Sequence, residues 1–284
     1  MAEIKRQTTK KKARRRKPSK PASTVSPKGD GKGFLGKSAL GMVLYGPPGV
    51  GKTSFAGHFP GVGFIHDPQE PGIRDLIEYN QIPEPKMVHE AEDFEDLLDI
   101  CSRVASGETG IQTAVFDSLS GMEQLCFHWH CNEYFEGDWS SKGFLSYYAG
   151  PENATKVDWV RFLEALDQVR KAGVNVVLVA HSEQKMYVNP EGADYERFQP
   201  ALDKRVWKVT HRWAQAVLFA NYFVDIDKSG PRNKANPDSE ARFLYPQWSP
   251  AFEAKNRFGL PPLVEMGSSG KEAFDNFAEA MQQS

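Results

Sequence analysis

The sequence predicts an α/β fold, a mostly parallel central sheet with helices on both faces, preceded by a disordered basic tail. Three observations predict it. Short apolar runs of strand length alternate with stretches of helical periodicity along most of the chain, as a parallel sheet covered on both faces requires. A glycine-rich turn, Gly46 to Thr53, sits between the first such run and the first helical stretch. Residues 1–33 hold twelve Lys or Arg against two acids, Glu3 and Asp30, and are otherwise rich in Pro, Ser and Gly. Such a segment buries too little apolar surface to offset its ordering entropy. The expected organisation is a tail over 1–35 and one folded domain over 36–284.

The elements follow in order. Ala39 to Tyr45 (ALGMVLY) reads as a buried strand, and Lys52 opens a helix that stops near Pro60. Val62 to His66 reads as a second strand, Met87 to His89 as a short one, and Glu92 to Val104 as an amphipathic helix. Ile111 to Phe116 reads as a buried strand that ends on Asp117. An aromatic-rich helix and loop region runs from Leu119 to about Pro151. Val160, Phe162, Leu163, Leu166 and Val169 give Val157 to Ala172 helical spacing. Asn175 to Ala180 (NVVLVA) is another buried run, ending on His181, and Ser182 to Lys204 reads as a polar loop. Val206 to Gln215 reads as a helix, Ala216 to Asp225 as a strand and Lys228 to Glu240 as an exposed hairpin or loop. Ala241 to Tyr245 and Lys271 to Gln282 close the chain as a strand and a helix.

Composition narrows the function classes. With 284 residues, 40% of them hydrophobic, the chain can bury one sizeable core. No apolar run approaches the roughly 20 residues of a membrane-spanning helix. The basic N-terminus lacks the apolar stretch of a secretory signal. Three cysteines without framework spacing point to a reducing, cytoplasmic compartment. The net charge of −2 hides an asymmetry: outside the tail, 251 residues hold 23 basic and 35 acidic groups. The tail suits nucleic-acid phosphates, a nuclear address or docking on the acidic body.

Gly46-Pro47-Pro48-Gly49-Val50-Gly51-Lys52-Thr53 fits GxxxxGK[ST] in full, with Ser54 following, and lies between a strand and a helix as the motif requires. Its glycines let backbone N–H groups converge on phosphates, and the helix N-terminus favours negative charge. Lys52 would reach the β- and γ-phosphates of ATP, and Thr53 would ligate Mg2+. Asp117, at the end of a buried strand expected beside the loop strand, would hold the magnesium hydration shell. Ser118 follows it, where many AAA+ ATPases carry a Glu that polarises water, so a base must come from elsewhere. Glu70 is the candidate and Asp67 the runner-up, both just beyond the second strand near the carboxyl edge of the sheet. Acids in a solvated turn are the plainer reading of both. His181, at a strand end, is either a sensor of the γ-phosphate or a structural histidine.

The loop GPPGVGKT, the strand end AVFDS and the strand VVLVAHSE resemble a RecA-like P-loop ATPase core. Ala254 to Pro261 (AKNRFGLP) resembles the C-terminal segment of the phage-encoded, Sak-type single-strand annealing proteins, and Pro200 to Lys204 (PALDK) looks similar too. The resemblance covers about residues 38–265. It implies that Lys255 and Arg257 reach into a neighbouring subunit's ATP site; their Lys-x-Arg spacing suits one face of a strand, and exposed surface cations are the plainer reading. It also implies self-association in a ring or filament, binding of single-stranded DNA, an encounter with a single-strand-binding protein, and the cytoplasm of a bacterial host. Carried over from that family, the DNA surfaces are Ser118–Pro151 and Ser182–Lys204. The first holds Trp129, Tyr134, Phe135, Trp139, Lys142, Phe144, Tyr147 and Tyr148, while a hydrophobic helix packed on the core accounts at least as well for Phe127 and Trp129. The second holds Lys185, Tyr187, Tyr195, Arg197, Phe198 and Lys204. Cations interleaved with aromatics suit phosphates and bases.

Cys126, His128, His130 and Cys131 are zinc-type ligands, but on one helix only Cys126 and His130 share a face. Cys101 reads as a small core residue. The leading expectation is an ATPase that binds single-stranded DNA and promotes annealing or strand exchange. The alternatives are an AAA+ helicase loader or remodelling ATPase, a small-molecule phosphotransferase, and a nucleotide-gated binding module with negligible hydrolysis.

Overall fold

The computed structural model describes residues 38–69, 72–223, 226–227, 234–235 and 241–284. The basic tail and Glu70 lie outside the described residues. The expected α/β architecture is present: a ten-stranded, mostly parallel sheet with helices on both faces.

The sheet is built from β1 (Gly41–Gly46), β2 (Val62–His66), β3 (Met87–Glu90), β4 (Thr113–Asp117), β5 (Asn175–Tyr187), β6 (Tyr195–Pro200) and β7 (Ala216–Tyr222). Two-residue strands β8 (Ile226–Asp227) and β9 (Lys234–Ala235) pair with each other apart from it, β9 within the span expected as an exposed hairpin or loop and β8 just before that span. The sheet is completed by β10 (Arg242–Tyr245), β11 (Lys255–Asn256) and β12 (Val264–Glu265). Its order is β12-β10-β7-β1-β5-β4-β2-β3, with β11 also on β7 and β6 on β5. β1, β2, β4, β7 and the first six residues of β5 are almost wholly buried, mainly apolar runs, as strands covered on both faces must be, whereas the edge strand β3 is partly exposed.

One correction concerns adjacency. The acid strand β4 is not beside the loop strand β1, because β5 lies between them and pairs in parallel with both. A second concerns β5, which continues past His181 to Tyr187 and turns back as β6 in an antiparallel hairpin, where a polar loop was expected. Neither face of Ser182–Tyr187 is apolar, so hydropathy gives no strand signal there. The hairpin is held by its ladder, by the Tyr187–Tyr195 ring pair at 5.1 Å and by Arg197 stacked 4.4 Å over Tyr187.

Eight helices are named here: α1 (Lys52–Ala56), α2 (Gly72–Glu78), α3 (Phe94–Ala105), α4 (Leu119–Phe135), α5 (Ala149–Ala154), α6 (Val160–Lys171), α7 (Lys204–Trp213) and α8 (Gly270–Gln282). Asp93, Ser118, Asp203 and Ser269 cap α3, α4, α7 and α8, each side chain accepting a backbone N–H of the first turn. One core packs α3, α4, α6 and α7 against the sheet through Phe94, Trp159, Phe162 and Trp207. The other packs α1 and α8 through Phe55, Phe59 and Phe277, whose rings meet edge-on or tilted within 5.9 Å. No helix among the described residues is long and apolar enough to cross a membrane.

Candidate active site

The glycine turn leaves β1 at the carboxyl edge of the sheet and enters α1. Gly49 and Gly51 have φ of 79° and 98°, which side chains rarely tolerate. Gly46 is required by space instead, since a Cβ there would sit 2.1 Å from the Ala220 carbonyl oxygen on β7. Lys52 is buried, and its Nζ donates to the carbonyls of Gly46 and Pro47 at 2.9 Å each. The ammonium thus lies across the mouth of its own loop, within the turn that the motif shapes for phosphates.

Thr53, in the first turn of α1, donates its hydroxyl to Asp117 Oδ2 at 2.6 Å. A hydroxyl and a buried carboxylate, both hard oxygen donors, are the pair that suits Mg2+ beside a nucleotide. Thr53 and Asp117 would hold the ion, which would neutralise charge on the β- and γ-phosphates. The Asp117–Ser118 peptide is cis. Ser118 is committed to capping α4, its hydroxyl accepting from the Gly121 amide at 3.3 Å, so it adds no base.

Asp67 is buried at the end of β2. Its carboxylate accepts from the Ser118 amide at 3.3 Å and the Gln69 amide at 2.9 Å. A Cβ on Gly121 would overlap it, at 1.8 Å from Oδ2. Asp67 therefore ties the end of β2 to the start of α4.

His181 lies directly opposite Gly46 in the β1–β5 ladder. Since β5 separates β1 from β4, His181 stands between the loop and Asp117. His66 is opposite Asp117 on β2 and is buried, with Nδ1 2.9 Å from the Asp67 carbonyl and no partner for Nε2. Paired residues of parallel strands point to the same face, so His66, Asp117 and His181 share the face that carries α1.

Lys255 and Arg257 are not brought to the loop within the chain. Lys255 pairs with Val217, near the start of β7, so it sits toward the opposite edge of the sheet. Its Nζ donates to the carbonyls of His211, Arg212 and Ala214 at 2.7, 3.3 and 2.6 Å, capping the end of α7. β11 ends at Asn256, so the two cations do not share a strand face as the Lys-x-Arg spacing suggested. Arg257 is exposed beyond it.

The two candidate DNA segments differ from expectation. Phe144 is wholly buried among Phe127, Phe135 and Trp139, so much of Ser118–Pro151 is packed core, although Tyr147 is 99% exposed. Phe198 is partly buried and stacks on the core residue Phe219, and Arg197 is paired with Glu253. Cys101, Cys126 and Cys131 are buried thiols, and burial raises the first two well above the usual range. His130 is tied to Asp158 at 2.5 Å, and His128 packs on Trp139. Among the described residues no three His, Cys, Asp or Glu converge on a metal position.

Sequence reasoning missed two residues that hold the loop. Arg242 on β10 donates to the Val50 carbonyl at 3.2 Å and to the Gly267 carbonyl at 2.7 Å, and the Tyr222 hydroxyl donates to Gly49 O at 3.0 Å. Nothing local marks them, because their roles arise from β7 lying beside β1 and β10 beside β7. It also passed over His66, whose one signal is an ionisable group closing an apolar strand.

No curated protein matches the sequence. A family model described as an AAA domain matches residues 38–258, from the first described residue to just beyond β11. The match spans the loop, the acid strand and the whole parallel sheet, and the chain belongs to this family of P-loop ATPase-like AAA domains.

Proposed function

We propose that the chain is a magnesium-dependent ATPase of RecA-like type that binds single-stranded DNA and, as a ring or filament of its own copies, promotes annealing or strand exchange. The observation that carries this reading is the path of β5. The strand passes between the phosphate loop and Asp117, presents His181 opposite Gly46, and runs on into the β5–β6 hairpin and α7. A γ-phosphate felt at His181 has a direct covalent route to surfaces outside the nucleotide site.

In this reading Lys52, with the backbone from Gly46 to Ser54, cradles ATP, and Thr53 and Asp117 hold Mg2+. Glu70 orients the attacking water, since the alternative acid, Asp67, already holds the Ser118 amide. Arg257, with Lys255 behind it, acts on the ATP of a neighbouring copy. The resemblance of AKNRFGLP to Sak-type phage proteins supports recombination as the setting.

The test is fluorescence anisotropy of labelled single-stranded DNA with and without ATP and magnesium. Binding that ATP strengthens or weakens is the expected result, and no binding in either condition sinks the DNA role. The family match favours a second reading, a helicase loader or remodelling ATPase. Against a helical lid domain, α8 is the one helix after residue 213 among the described residues. ATP turnover unchanged by Glu70→Gln would point instead to a nucleotide-gated module.

A further inference from the structure

Residues 34–284 are acidic in sum, yet one helix gathers cations. α7 carries Lys204, Arg205, Lys208, His211 and Arg212 and no acid. Lys204, Lys208 and Arg212 recur every fourth residue and are exposed, so they form one stripe with about 6 Å of rise between members. Beside the stripe lies an open groove of about 360 Å³, lined by Lys204, Trp207, Lys208, His211, Trp248 and Glu253.

The groove's chemistry is uneven. Glu253 is neutralised from within by its ion pair with Arg197 and accepts from the Trp207 indole N–H at 2.5 Å. Trp207 is buried and forms the floor. Trp248, on the loop between β10 and β11, stands 60% exposed. A ligand therefore meets two ammonium groups one helical turn apart and the open face of an indole. That combination suits a chain of repeated negative charge carrying flat rings.

We propose that this groove binds single-stranded nucleic acid, with a base stacked on Trp248 and neighbouring phosphates on Lys204 and Lys208. The proposal rests on the DNA-binding reading above but moves the main contact from the loops to α7. The β5–β6 hairpin is a poorer phosphate site. It carries Glu183, Glu191, Asp194 and Glu196 against Lys185 and Arg197, and Lys185 is paired with Glu183 at 2.6 Å. A duplex keeps its bases stacked on one another, so it offers Trp248 no free ring face.

The experiment uses the full chain with oligo(dT), followed by anisotropy across a salt series and by quenching of tryptophan emission. Trp248→Leu is expected to weaken binding about ten-fold and remove most of the quenching. Replacing Lys204 and Lys208 by Gln should lower the slope of log K against log salt by about 1.4. All three side chains are exposed, and unchanged ATP affinity in each variant would report an intact fold. Wild-type affinity, quenching and salt slope in these variants would overturn the groove, and a loss confined to Lys185→Gln would return the contact to the hairpin. Equal losses for duplex and single strand would overturn its single-strand character. If the wild-type chain does not bind oligo(dT), the DNA reading fails and the groove with it.

Discussion

At the scale of single residues, the site is a contact between two short side chains from distant parts of the chain. Thr53 and Asp117 are 64 positions apart and meet at 2.6 Å. Replacing Asp117 by Asn keeps the shape and an oxygen for the Thr53 hydroxyl but removes the charge that would hold magnesium. A charge-assisted contact is worth about 1.5–3 kcal/mol. Asp117→Asn should therefore weaken ATP binding about ten- to hundred-fold in magnesium and little in EDTA. Lys52→Ala should weaken it in both. Titrating a fluorescent ATP analogue under the two conditions separates the effects, and equal behaviour of the two variants would refute the metal role of Asp117. These residues were legible in the sequence because the motif is local and its strand context is apolar. Arg242 and Tyr222 were not, because they reach the loop only through the order of strands. The intrachain partners of Lys255 were hidden for a related reason: its segment gave no sign that three carbonyls at the end of α7 would hold its ammonium.

At the scale of elements, runs with one strong period were readable and alternating polar runs were not. β2 has the expected bounds, because VGFIH is continuously apolar until its last residue. The β5–β6 hairpin escaped notice because its stability lies in cross-strand pairs that hydropathy does not register. One buried acid ties these elements together. Glu123, on α4, accepts from the Asp203 amide at 2.8 Å, where Asp203 caps α7. Burial raises its pKa from 4.5 to about 7. Between those values the folded chain holds a proton that the unfolded chain has lost. Stability from this group is therefore full below about pH 4.5, falls as pH rises towards 7, and is flat above. The loss is at most roughly 3 kcal/mol, from about 1.4 kcal/mol per pKa unit. Glu123→Gln keeps an acceptor for the amide without the charge. Its melting temperature minus that of the wild type should be near zero at pH 4.5 and clearly positive at pH 8. A difference constant with pH would show that Glu123 does not titrate in this range.

At the scale of the whole molecule, two charge distributions are joined in one chain: twelve cations against two acids over residues 1–33, and 23 basic against 35 acidic groups over the rest. Within the acidic part, the α7 stripe repeats cations on one face. In the proposed DNA-binding reading, two cationic segments so different in kind should separate by their response to salt. Each phosphate neutralised on a single strand contributes about 0.7 to the slope of log K against log salt. A chain lacking residues 1–33 should therefore bind oligo(dT) with a markedly shallower slope, while its affinity at high salt stays close to that of the full chain. Counterion release contributes little there, whereas the proposed stacking on Trp248 would persist. ATP affinity should be unchanged, because the loop, Asp117 and the residues that hold them all lie beyond residue 40. Anisotropy on the two chains from about 50 to 500 mM salt makes the comparison. Tighter binding by the shortened chain would mean that the tail instead occupies the acidic body and competes with DNA. An unchanged slope would mean that the tail does not touch the strand at all.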